Sequence, residues 1–327
     1  MVSSLILEVI LTKRVLVSGG AGFIGSHLSD RLLSLGHEVV IVDNESTGRV
    51  ENVPNTAEYY RGDVRDTDEL EVAFSGGLDA VFHIAGQSST IQSFDEPQLD
   101  LEVNTLGTMN VVSKCLEHKV PRLLFASSMT VYGIINEIPN SESTPARPVS
   151  YYGISKYAAE RFVHATAIRN DLNAPFNVTS FRMFNVYGSR QRLDNPYQGV
   201  MGIFIGNALR NEPITIYGDG KQSRDFVYIQ DVVDAWLAAW ENPSAYNEVF
   251  NLGIGKDCSI NQLVGLILDS FGYSRGLYQI GYQDERPGDQ RRMRADIDKA
   301  GRLLNWRPAI GLHDGIDSTI AWAKDYA

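Results

Sequence analysis

A chain of 327 residues with 43% hydrophobic and 21% charged side chains has the composition of a globular protein built on one large core or two unequal ones. Its formal net charge of −11 argues against a nucleic-acid partner, but not against a small anion held by a few placed arginines and helix N-termini. Cys115 and Cys258 stand far apart without metal-ligand spacing, so neither a metal nor a disulfide is expected, and no apolar run is long enough to span a bilayer.

Residues 1–12 read as an extension ahead of the first strand. The apolar stretch at 5–11 lacks the basic leader and small-residue cleavage site of a signal peptide, so a cytoplasmic location is expected. Arg14-Val15-Leu16-Val17-Ser18 is a short apolar run ending in glycines, which predicts a buried parallel strand. Ile24, Leu28, Leu32 and Leu35 recur at helical spacing, and Gly36 sits where a glycine ends a helix. Residues 38–43 predict a second strand and close a βαβ unit. Further strands are predicted at 80–85 and 122–127, with a helix over 104–119 that places Val103, Met109, Val112 and Leu116 on one side.

The alternation continues through 178–182, which predicts an α/β fold with a doubly wound parallel sheet of the Rossmann kind. Beyond Tyr187 the texture shifts to Gly, Pro, Asn and Arg, marking a smaller α/β domain. The expected division is 13–186 for the sheet domain, with a return at 224–252 where 226–240 reads as strand then helix, and 187–223 plus 253–327 for the smaller domain.

Two motifs carry chemistry. In Gly19-Gly20-Ala21-Gly22-Phe23-Ile24-Gly25, residues without side chains let backbone amides approach a dinucleotide pyrophosphate at a helix N-terminus. Asp43 ends the second strand, where a carboxylate accepts from adenosine ribose hydroxyls and repels a 2′-phosphate, favouring NAD over NADP; capping a turn with Asn44 is the competing role. Downstream, Tyr152 and Lys156 lie four apart on one helical face. A phenol with an ordinary pKa of about 10 needs a neighbouring cation to serve as a base near neutrality. Tyr151 has no lysine at that spacing. The segment 125–133 adds hydroxyls, Ser128 among them, at the carboxyl end of a strand, where ligands of such sheets bind.

Through these motifs the chain resembles the extended short-chain dehydrogenase/reductase family, in particular its nucleotide-sugar 4-epimerases. The likeness runs from about residue 13 to the C-terminus and also rests on Gly62-Asp63-Val64, His83-Ile84-Ala85-Gly86, Asn104-Thr105-Leu106-Gly107-Thr108, Phe184-Asn185-Val186-Tyr187-Gly188, Arg224-Asp225-Phe226-Val227-Tyr228 and Arg286-Pro287-Gly288-Asp289. The resemblance implies NAD held by Gly19, Gly22, Phe23, Ile24, Asp43, Asn44, Asp63, Val64, Ala85, Gln87, Asn104, Tyr152 and Lys156, with Ser128, Tyr152 and Lys156 catalytic. It implies a UDP-sugar met by Ser128, Thr130, Tyr152, Asn185, Val200, Thr215, Tyr217, Arg224, Arg286 and Asp289, and a homodimer formed through helices near 104–119 and 152–170.

Related dehydratases and decarboxylases carry acidic residues where this chain has Met129-Thr130, so the extra acid/base that those reactions need is missing. The expected activity is 4-epimerisation of a UDP-hexose through a 4-keto sugar, with UDP-glucose and UDP-galactose the default pair. The alternatives are a UDP-glucuronate 4-epimerase, with Arg192 addressing the carboxylate, another nucleotide-sugar oxidoreductase, or a non-catalytic NAD-binding protein. Ser88 stands where the family often has a lysine, and Met293 where it gates the sugar 2-substituent.

Overall fold

The structure, a computed structural model, describes residues 11–134, 137–195, 199–285 and 290–326. Most of the predicted extension therefore lies outside the described residues. The chain lays down β1 (Arg14–Ser18), α1 (Phe23–Ser34), β2 (Glu38–Asp43), β3 (Glu58–Arg61), α2 (Thr67–Phe74), β4 (Ala80–His83), α3 (Thr90–Asp95) and α4 (Pro97–Leu101). A π-helical turn at Glu102–Leu106 then runs into α5 (Gly107–Glu117), followed by β5 (Arg122–Ser128), α6 (Tyr151–Ala167), β6 (Asn177–Met183) and β7 (Asn185–Tyr187). The remainder comprises α7 (Val200–Leu209), β8 (Ile214–Tyr217), β9 (Ser223–Arg224), β10 (Phe226–Tyr228), α8 (Ile229–Trp240), β11 (Glu248–Leu252), β12 (Cys258–Ser259), α9 (Ile260–Phe271), β13 (Ile280–Gln283), α10 (Asp298–Leu304) and α11 (Leu312–Asp325).

Seven strands pair in parallel in the order β11-β6-β5-β4-β1-β2-β3. Because side chains alternate along a strand, the sheet sorts its apolar residues onto two faces. Val15 and Val17 of β1 share one core with Leu28 and Leu32 of α1 and Trp236 of α8. Leu16 between them joins the other core, with Phe74 of α2, Val111 of α5 and Val163 of α6. Both faces are covered, as the doubly wound expectation requires.

Within 224–252, some elements meet the main sheet and one does not. β10 pairs with β7 in a two-stranded ribbon and not with the main sheet. The return is made by α8, whose Trp236 lies against Phe82 and Phe181, and by β11 at the sheet edge beside β6.

The helix over 104–119 also differs. Thr108, Val111, Val112 and Cys115 are its buried residues, whereas Met109 is 36% exposed. The π-helical turn inserts an extra residue and rotates the downstream helix by about 100° relative to a regular one. That rotation turns Asn104 and Thr105 inward.

Candidate active site

Four loops leave the carboxyl ends of β1, β2, β4 and β5 and carry the glycine turn, Asn44, Ala85 and Gln87, and the turn after Ser128. After Ser18 the chain turns at Gly19 with φ +75°, and a Cβ at that position would come within 2.7 Å of the Ala85 nitrogen. A Cβ at Gly25 would lie 2.1 Å from the Gly19 carbonyl oxygen. Only glycine allows either approach. Gly22 is the N-cap of α1 and no side chain caps that end, so the leading amides at Phe23 and Ile24 stay available for an anion. This cradle fits a dinucleotide pyrophosphate.

Asp43 performs two tasks at once. It is buried at the end of β2, and its carboxylate accepts from the Ala21 nitrogen at 3.0 Å and the Glu45 nitrogen at 2.8 Å. Burial raises its pKa while these hydrogen bonds oppose the rise. The turn-capping role is thus real, with Glu45 rather than Asn44 as partner, and the same carboxylate braces the glycine turn. Asn44 donates to Asp63 at 2.8 Å. Asp63 also receives a two-pronged pair from Arg65, which holds its carboxyl down at about 2. Val64 is buried beneath Gly107, where a Cβ would approach it to 2.6 Å.

Ser150 caps α6 by accepting from the Gly153 nitrogen at 3.1 Å. A Cβ at Gly153 would stand 2.7 Å from the Thr130 carbonyl oxygen, so glycine lets the helix start press against the turn at Met129–Tyr132. Ser128 ends β5, and its Oγ accepts from the Thr130 nitrogen at 3.2 Å and Oγ1 at 2.9 Å. Tyr152, half-buried, lies close enough to Ser128 for that hydroxyl to favour its ionised form. Lys156 follows one turn later, 4% exposed, with Nζ 4.7 Å above the Phe125 ring.

The protein's own groups, without the positive nicotinamide ring, favour the neutral phenol. Burial pushes Tyr152 up to about 12; the Ser128 bond opposes this and the Asp100 charge adds to it. The same burial draws Lys156 down to about 8, with Asp100 and Glu160 opposing. Desolvation disfavours both ions, so a phenolate here needs a further positive charge close by.

Gln87 and Asn104 meet at a residue that the sequence motifs do not include. Asp100 of α4 accepts from Gln87 at 3.0 Å, Asn104 at 3.1 Å and Ser155 at 2.5 Å. The i,i+4 spacing of Asp100 and Asn104 is its only trace in the sequence. Asn104 Oδ1 is buried and has no partner among the described residues.

Asn185 of β7 donates to the Asp225 carbonyl oxygen at 2.9 Å and lies 3.7 Å from the Met129 sulfur, in the turn after β5. Arg224 donates to the carbonyl oxygens of Ser223 at 2.8 Å and Gln290 at 2.7 Å. Thr215 and Tyr217 share the partly exposed face of β8, while Ile214 and Ile216 alternate into the core. Val200 begins α7, half-buried. Arg192 is engaged in its own loop, donating to both oxygens of Asp194 at 3.1 and 3.0 Å. Ser88 is exposed, and Met293 is buried in the main core. Arg286 and Asp289 lie outside the described residues.

Comparison with known proteins bears on this geometry. The family described as NAD dependent epimerase/dehydratase matches residues 15–253. The UDP-glucose 4-epimerase of Mycolicibacterium smegmatis is 34% identical over 320 residues, covering 95% of this chain and 99% of the relative. The crystal structure of the Thermotoga maritima UDP-glucose 4-epimerase with UDP-glucose superposes with a TM-score of 0.90 at 36% identity, covering 96% of this chain and 99% of that one. The Thermus thermophilus UDP-glucose 4-epimerase complex with NAD gives 0.88 at 34% identity, covering 96% and 100%.

Proposed function

The chain belongs to the NAD dependent epimerase/dehydratase family, and from that premise we propose that it interconverts UDP-glucose and UDP-galactose by inverting the sugar at C4. The observation that carries this reading is the placement of Ser128 beside Tyr152, with Lys156 one helical turn on, at the same carboxyl end of the sheet as the glycine cradle. NAD, when bound, supplies the acceptor and later the donor of hydride at C4.

The protein's own residues supply the proton chemistry. Tyr152 takes the proton of the 4-hydroxyl as that carbon is oxidised, and Ser128 donates a hydrogen bond to the same oxygen. Lys156 stabilises the phenolate by charge. Asn185, Arg224, Thr215 and Tyr217 hold the nucleotide while the 4-keto sugar presents its other face, and Tyr152 then returns the proton. Thr130 in place of an acidic residue leaves no second acid/base, so the reaction ends at inversion and not at dehydration or decarboxylation.

The partnership of two identical chains belongs to the same proposal. Leu106, Met109, Ile154 and Phe162 are exposed apolar residues on the π-helical turn, α5 and α6, and Phe94 packs on Tyr151 beside them. Such a patch fits a self-complementary face. Two free cysteines suit work in the reducing cytoplasm.

The test is to incubate the purified protein with UDP-glucose and follow the C4 configuration by NMR. Formation of UDP-galactose without net NADH supports the reading. Tyr152→Phe should lower turnover by at least about a hundredfold while NAD stays bound. Absence of C4 inversion, or wild-type turnover in that variant, overturns it.

A further inference from the structure

Asp100 belongs to none of the chemistry-bearing motifs, yet it is 1% exposed and takes three side-chain hydrogen bonds. Its Oδ1 accepts from Gln87 Nε2 at 3.0 Å and Asn104 Nδ2 at 3.1 Å; its Oδ2 accepts from Ser155 Oγ at 2.5 Å. The donors come from the loop after β4, the π-helical turn and the catalytic helix α6. One carboxylate therefore ties three separate elements together beneath the site.

The bond to Asn104 has a directional consequence. An ionised carboxylate is acceptor-only, so it fixes which end of the amide faces it and turns Oδ1 the other way. That oxygen is buried without a partner among the described residues, on the side of Gly86. A Cβ at Gly86 would lie 2.8 Å from Asn104 Oδ1 and 3.4 Å from Lys156 Nζ. The amide oxygen and the ammonium thus border one small space, and Asp100 bonds directly to the amide that forms one wall.

We propose that Asp100 is a positioning residue of this active site, whose carboxylate orients the Asn104 and Gln87 amides, clamps Ser155, and through that hub fixes the Lys156 ammonium beside Gly86. The inference rests on the roles proposed above for Tyr152 and Lys156. Asp100 also acts through space, opposing the burial that lowers Lys156 and adding to the burial that raises Tyr152.

The other groups near Lys156 are committed elsewhere. Glu160, on its own helix, pairs with Arg182 of β6 at 2.6 Å and accepts from Ser127 of β5. His83 of β4 is held between Ser18 and Thr108, and burial keeps it neutral down to about 3. Tyr132, in the turn after β5, donates to Asn251. Lys114 of α5 pairs with Glu117 and Glu71 at the surface, and Asp95 of α3 is exposed. Asp100 is therefore the carboxylate whose removal is felt by both Lys156 and Tyr152.

Asp100→Asn keeps the shape and removes the charge. Without a nearby anion the ammonium is less favoured and the phenolate more so, and both pKa values fall. The expected result is a kcat lowered about tenfold or more with KM for UDP-glucose within about twofold, and both limbs of the kcat–pH profile displaced downward by about one unit. In lysine-13C-labelled protein, the Lys156 Cε resonance, assigned with Lys156→Met, should titrate at lower pH by a similar amount, a readout independent of turnover. Ser155→Ala keeps the charge and loses the clamp, so kcat should fall without displacement of the limbs.

A lowered kcat in Asp100→Asn with unmoved limbs and an unmoved Lys156 titration would reduce Asp100 to packing and overturn the proposal, as would wild-type kinetics. If Asp100→Asn does not fold, unchanged kcat in Ser155→Ala overturns the hub. Tyr152→Phe is run alongside: wild-type turnover there fails the catalytic reading alone, while the Lys156 titration still reports on Asp100.

Discussion

Thr130 gives both its hydroxyl and its backbone N–H to the same atom, Ser128 Oγ, at 2.9 and 3.2 Å. A serine hydroxyl has two acceptor sites and one proton. With both acceptor sites filled, the Ser128 proton is left to donate, and the Tyr152 phenol is close by. Thr130 therefore leaves Ser128 a donor, as its proposed role at the sugar oxygen requires. Thr130→Val should lower kcat about three- to tenfold with KM nearly unchanged, the worth of one hydrogen bond, and Thr130→Ser should restore it. Steady-state kinetics on the three proteins check this.

Lys156 is expected to set the alkaline limit of turnover. Burial draws its pKa down to about 8, so the cation is present below that pH and lost as pH rises through it. Turnover that depends on the ammonium should fall on that limb. Lys156→Arg keeps a charge at all accessible pH and should abolish the limb, at a lower kcat because a planar fork does not reproduce a compact ammonium. A kcat profile from about pH 6 to about pH 10 on both proteins decides the point.

Arg192 is the residue on which a uronate reading depends. Its guanidinium is spent on Asp194, whose second oxygen also lies 3.8 Å from Arg49. We expect Arg192→Ala to leave UDP-glucose turnover within about twofold, as for a part-exposed ion pair of small energetic weight. Parallel assays with UDP-glucose and UDP-glucuronate measure it; a selective loss of uronate turnover would restore the carboxylate-reading role.

The pair of Glu160 and Arg182 is buried on both sides, at 7% and 2% side-chain exposure for the arginine and glutamate. Burial is the largest influence and lowers the Arg182 pKa, but the Glu160 hydrogen bond and charge, with Tyr132 adding to them, together outweigh it and leave it raised. Glu160→Gln leaves the guanidinium buried without its counter-charge and should cost about 3–5 kcal/mol in urea unfolding. A change within about 1 kcal/mol would show the arginine to be solvated in the folded protein.

Much of this molecule is written locally. The strand at Arg14–Ser18, the glycine turn, the helix stopped at Gly36 and the strand ending in Asp43 all come from apolar runs and glycines whose conformational needs act over a few residues. The Tyr152–Lys156 pair is legible for the same reason, since a four-residue step on a helix is local geometry. The inward face of α5 was not legible, because a π-helical turn changes the period of the apolar pattern. Nor was the partner of β10, since short strands find their neighbours through the fold and not through their own sequence.

The sequence by itself determined the sheet order's raw material, the glycine turn and the Tyr152–Lys156 step on one helix, because each depends on backbone constraints or spacings within one element. Tertiary structure alone decided that Asp100 joins Gln87, Asn104 and Ser155, that Thr130 orients Ser128, and that the phenol sits where burial raises its pKa. Those outcomes depend on which groups are brought together out of water, across as many as 55 residues of chain for Asp100 and Ser155, and no local pattern encodes that desolvation.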